Sequence, residues 1–105
     1  MKRRIRRFSF LNPGRLIVAP KHGLRARSVR LSTGVGMDWH STGKREELIL
    51  VVGGRVEVSI KPASGKVRRI RLREGQGVFL PSATMHSVAS RLSPASRYVY
   101  VTGRA

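Results

Sequence analysis

The chain of 105 residues carries 22 lysines and arginines against 5 acidic residues, a formal net charge of +17, and no cysteine. That length suits one domain with a modest core. The missing thiols exclude disulfides and thiolate metal centres, so three histidines and five carboxylates are the side chains left to ligate a metal.

Residues 1 to 20 are expected to form a basic arm or an edge strand. They carry the basic run at 2–7 and the bulky Ile5, Phe8, Phe10 and Leu11, which fit an edge strand or a contact with a neighbouring subunit. Asn12-Pro13-Gly14-Arg15 breaks the apolar stretch that a secretion leader would need, so a cytoplasmic location is expected. The longest apolar run, at 48–52, is far short of the roughly 20 residues of a spanning helix, and no membrane association is expected.

Residues 21 to 105 are expected to form the domain proper. Residues 55–60 alternate apolar and polar side chains, residues 67–73 alternate apolar and basic ones, and residues 97–101 are rich in β-branched and aromatic types. A period of two marks strands with one buried and one wet face, and it puts the arginines of 67–73 in solvent. Gly53-Gly54 reads as a tight hairpin, and turns are expected at 62–65, Gly75-Gln76-Gly77 and Ser93-Pro94. No window holds a helical period. Short strands joined by Gly and Pro turns predict an all-β sandwich or barrel.

Two stretches carry the chemistry. In the first, five residues follow Gly34 before His40, Thr42 stands two further on, four residues lead from Thr42 to Glu47, and six more lead to Gly54. In the second, Gly75, Pro81 and His86 are spaced by five and four residues, with Ala83 two after Pro81 and Ser90 four after His86. These resemble the two motifs of the cupin family. In that family the first motif has a second histidine where this chain has Thr42. The second has glycine and asparagine where this chain has Ala83 and Ser90. The resemblance covers residues from about 30 to 101. It implies a small double-stranded β-helix, or jelly-roll barrel, with one pocket.

The resemblance also implies a metal site at His40, Glu47 and His86. Two imidazoles and a carboxylate with open positions are the ligand type of non-haem iron centres, and Fe, Mn, Ni, Zn or Cu all suit them. Thr42 shares a strand face with His40 and is placed to hydrogen-bond a bound water or substrate. Glu46 competes with Glu47 for the inward position. The turn alignment selects Glu47, and the other acid is expected to be exposed and paired with an arginine. His22, in a turn-like stretch, is expected on the surface. Trp39 should face away from His40 and pack in the core or an interface. Tyr98 and Tyr100 share a face that either lines the pocket or packs the core.

Three functions follow from these residues. The first is a metal-dependent oxygenase or isomerase of a small polar molecule. The second is a non-catalytic barrel for a small anion or sugar acid, which inward arginines would support. The third, less favoured, is a nucleic-acid-associated barrel, which lacks exposed aromatic platforms. The modest core and the family resemblance both imply a homodimer.

Overall fold

The computed structural model describes residues 5, 7–16, 23–90 and 95–104. His22, the Ser93-Pro94 turn and most of the basic run lie outside them. The strands are β1 (Gly14–Arg15), β2 (Arg25–Ser32), β3 (His40–Ser41), β4 (Arg45–Gly53), β5 (Arg55–Lys61), β6 (Arg68–Arg73), β7 (Gly77–Leu80), β8 (Met85–Ala89) and β9 (Ala95–Arg104). They form two antiparallel sheets, one ordered β1-β2-β9-β4-β7 and one ordered β3-β8-β5-β6. The described residues include no helix long and apolar enough to cross a membrane.

The alternation read in the sequence becomes the two faces of each sheet. In β6, Ile70 and Leu72 turn inward while Arg69, Arg71 and Arg73 stay in solvent. Val58 lies opposite Ile70 and Val56 opposite Leu72, so the apolar side chains of β5 and β6 share one face. They meet Leu31, Ile49, Val51, Leu80, Val88 and Tyr98 from the rest of the barrel in a single buried cluster. Glu57, on the opposite face of β5, is covered by Arg69 and Arg71, each 3.6 Å from its carboxylate.

Gly53-Gly54 does not close a hairpin. β4 belongs to one sheet and β5 to the other, so the chain turns a corner there. The register between β4 and β9 slips between Val51 and Gly53, and Gly54 takes a left-handed φ of 72°. An extra residue bends a strand out of its sheet, and glycine accepts the positive φ without a Cβ clash. The expected turn at 62–65 does join paired strands, with Gly65 N–H donating to Pro62 O at 2.9 Å. Gly77 serves close approach instead: a Cβ there would lie 2.7 Å from the Ile49 carbonyl oxygen on the neighbouring strand.

Trp39 is 45% exposed and Phe79 53% exposed, and Phe8 and Phe10 are also on the surface. Trp39 therefore does not pack in the core, and the chain does present aromatic side chains to solvent. Phe79 lies on the outer face of the larger sheet, whereas the arginines of β6 lie at the far edge of the smaller sheet from β3, which Trp39 precedes. Trp39 and Phe79 are thus separated from the arginines of β6.

Candidate metal centre and pocket

A cavity of about 630 Å³ opens between the sheets at the end away from the main core. Strands β4 and β8 run from this cavity into the core. Glu47, Ile49 and Val51 follow one another along the inner face of β4, and His86 and Val88 do so along β8. The period of two therefore places a polar side chain at the cavity end of a strand whose next inward residues are apolar.

His40 and His86 are direct cross-strand partners in β3 and β8, with ring centroids 4.2 Å apart. Glu47 comes from the other sheet. One ligand atom from each of His40, Glu47 and His86 lies within 4.8 Å of the others, and Glu47 Oε2 is 3.5 Å from His86 Nε2. Adjacent ligand atoms about 2.1 Å from one ion lie about 3.0 to 3.4 Å apart, so a small closure brings the set to bonding distance.

Hydrogen bonding determines which nitrogens face the cavity. His40 Nδ1 lies 2.8 Å from Asp38 O, and His86 Nδ1 lies 3.0 Å from Thr84 O. A carbonyl only accepts, so each Nδ1 carries a proton and donates it. In the neutral rings this leaves the Nε2 lone pairs free for a metal, held in place as a second hydrogen bond holds such ligands. His86 Nε2 is buried without a hydrogen-bond partner. At 3.5 Å from a carboxylate, it is one acceptor facing another, and a cation between them, a proton or a metal ion, removes the repulsion. The donor set therefore fits a divalent transition metal.

The same arrangement acts on protonation. Burial lowers the affinity of His86 for a proton, but Glu47 and the Thr84 carbonyl outweigh it and raise the pKa above the ordinary value of 6.5. Tyr98 moves the other way in charge: burial, then the charge of Glu47 and the neighbouring Tyr100, hold its hydroxyl protonated far above its usual range. That hydroxyl donates to Met37 Sδ at 2.6 Å. Tyr98 thus both lines the pocket and belongs to the core.

Thr42 lines the cavity, but its hydroxyl is already engaged. It donates to Pro81 O at 2.7 Å and accepts from Thr84 N–H at 2.9 Å. Thr42 thereby fastens β3 to the 81–84 turn that delivers His86, rather than offering its hydroxyl to a bound molecule. In that turn Ala83 has a φ of 56°, a left-handed conformation that glycine accepts more readily, and its N–H donates to Gly43 O at 2.8 Å. Thr42→Val removes both side-chain bonds and should lower stability by about 1–3 kcal/mol. Urea unfolding of Thr42→Val beside Thr42→Ser checks this, and equal stabilities for the two would count against the clamp.

Glu46 does not reach the site. It lies on the outer face of β4, beside Leu24, Leu48, Phe79 and Val101. No ion pair of Glu46 occurs among the described residues, so the expected arginine partner is absent there. Sequence reasoning missed four arginines. Arg15, Arg25, Arg27 and Arg45 all line the cavity. Arg45 is held by Thr102 Oγ1 at 2.8 Å and the Gly23 carbonyl at 2.7 Å. Two signals were available: Arg45 stands two residues before Glu47 and so shares its strand face, and the alternation in Arg25-Ala26-Arg27 says that both arginines share a face but not which face is inward.

No family model and no curated protein matches the sequence. Solved structures do match the fold. The Schizosaccharomyces pombe Cnp3 cupin domain aligns with a TM-score of 0.76 at 13% identity, over 89% of this chain and 64% of that one. An oxalate oxidase aligns with a TM-score of 0.72 at 19% identity, over 78% of this chain and 42% of the enzyme. A cupin-2 domain protein from Shewanella frigidimarina aligns with a TM-score of 0.66 at 14% identity, over 87% of this chain and 80% of that one. The chain thus spans less than two thirds of the first two structures. With its two antiparallel sheets closed around one pocket, and with these structures superposing on most of its length, the chain has the cupin fold.

Proposed function

We propose that the chain is a metal-centred cupin that binds a small polar molecule, with His40, Glu47 and His86 holding the ion. The observation that carries this reading is the buried, unpartnered His86 Nε2 facing Glu47. A divalent Fe, Mn, Ni, Zn or Cu ion there would act as a Lewis acid on a donor atom of the bound molecule. The donor set suits an oxygenase or isomerase. Met37, Val88, Tyr98 and Tyr100 wall the cavity and would orient the molecule against the ion. Metal analysis after reconstitution tests the reading: about one ion per chain is expected, and far less for Glu47→Gln. An empty wild-type chain sinks it.

A second reading, a barrel that binds without catalysis, is favoured by the rest of the lining. Apart from the three ligands, the titratable groups that line the cavity among the described residues are arginines and tyrosines. Arginine does not deprotonate, and the Tyr98 proton is held on Met37.

The raised pKa of His86 sets a pH dependence. In the metal-free chain its stabilising contribution is complete below pH 6.5 and fades as pH rises through the higher folded value. Metal must displace that proton, so affinity should increase with pH above 6.5 until His86 is neutral. Metal titrations at several pH values check the direction, and a flat profile contradicts it.

We propose a homodimer through the outer face of the larger sheet. Leu24, Leu48, Leu50 and Phe79 are each more than 40% exposed there, and Glu46 lies among them. Two copies at +17 repel each other least across a face whose centre carries no cation among the described residues. Sedimentation should give a dimer that Phe79→Glu converts to an 11.7 kDa monomer. A monomeric wild-type chain contradicts the proposal.

A further inference from the structure

We infer that the pocket takes a small organic acid, whose carboxylate is held at the cavity mouth by Arg15 and Arg27 while its other end faces His40, Glu47 and His86. The inference deepens the pocket reading above, but it does not depend on metal.

The sheet register places both arginines on the face they share with Arg25. Arg25 lies opposite Thr102, and Thr102 lies opposite Glu47, so Arg25, Thr102 and Glu47 form one row across the larger sheet. The next row on the same face runs Arg15, Arg27, Tyr100 and Ile49. Strands are about 4.8 Å apart, so the Arg25 backbone is about 10 Å from that of Glu47. An extended arginine side chain spans most of this distance. A molecule of a few carbons can therefore touch a guanidinium and the histidine end together.

The charges point to an anion. Among the described residues four guanidinium groups line the cavity and Glu47 is its only carboxylate. Arg45 is occupied by Thr102 and Gly23. Arg15 and Arg27 are directly opposed across β1 and β2, and like charges so placed destabilise a sheet unless a counter-charge lies between them. The described residues have other opposed arginines: Arg30 with Arg97 and Arg55 with Arg73 lie on outward sheet faces, and in the pair of Arg45 with Arg104 the Arg45 guanidinium is held by Thr102 and Gly23. At the mouth of a concave site the field is focused on whatever enters. The guanidinium fork matches a carboxylate, and the walls of Met37, Val88, Tyr98 and Tyr100 suit a carbon skeleton, which inorganic phosphate lacks.

Calorimetric titration with succinate and its neutral diamide, succinamide, at fixed ionic strength tests this. In the metal-free chain succinate should bind at least about tenfold more tightly than succinamide, and Arg15→Gln with Arg27→Gln should weaken it about tenfold. A control, Arg55→Gln with Arg73→Gln, removes the same charge from an opposed pair on the outward face of β5 and β6 and should change affinity less than about twofold. Arg27→Lys should fall between the wild type and the double variant, because it keeps the charge and loses the fork. Equal weakening in the two double variants would reduce the effect to the overall field and overturn the inference. So would succinamide binding as tightly as succinate, or no succinate binding. Metal loading is measured separately. A chain that holds no metal but shows this arginine dependence would sink the proposed function alone, and a chain that loads metal without it would sink the inference alone.

Discussion

Saturating the chain with Zn²⁺, Mn²⁺ or Ni²⁺ should raise its melting temperature by about 10–20 °C, and Glu47→Gln or His86→Ala should abolish the rise. An ion at 100 times its dissociation constant stabilises by about 2.7 kcal/mol, and a domain of this size shifts by about 4–8 °C per kcal/mol. The effect is large because the unfolded chain does not hold the three ligands together, so binding free energy appears as folding free energy. His86→Ala also loses ring packing on His40. Glu47→Gln keeps the side-chain shape and separates loss of the ligand from loss of packing. A rise that survives in both variants would place the ion elsewhere in the chain.

Ile49→Ala should cost about 2–5 kcal/mol, a substantial part of the roughly 5–15 kcal/mol that holds a small domain folded. Ile49 is fully buried at the centre of β4, between the Glu47 carboxylate and Val51. β7 on one side and β9 on the other hold that strand. Those neighbours cannot collapse into the space left by the side chain without breaking their ladders, so the cavity remains open. In urea the midpoint should fall with an unchanged slope. A loss below about 1 kcal/mol would mean that the two sheets do not close on this residue.

The candidate site was legible because cupin-type spacing survives in the chain. His40, Glu47 and His86 can be chosen by counting, and the structure brings them to one point. The preference for Glu47 over Glu46 agrees with their placement, since neighbouring strand residues face opposite ways and Glu46 lies outside. The role of Thr42 was not legible. Its hydroxyl is taken by Pro81 and Thr84, residues about forty positions away that meet it only after the barrel closes. The same holds for Trp39, whose bulk suggests burial and whose loop leaves it exposed.

By itself the sequence determined strands within 55–60, 68–73 and 97–101 and the wet arginine face of β6, and its resemblance to the cupin motifs implied the histidine and carboxylate set that the fold gathers. These are local properties: alternation of side chains and fixed spacing along the chain. Only the tertiary structure decided that Gly53-Gly54 is a corner between sheets, that Arg15, Arg25 and Arg27 share the cavity with the histidines, and that Leu48, Leu50 and Phe79 are exposed on the outer face of the larger sheet. Alternation says that two residues share a face, but the face becomes inner or outer only when a second sheet packs on it.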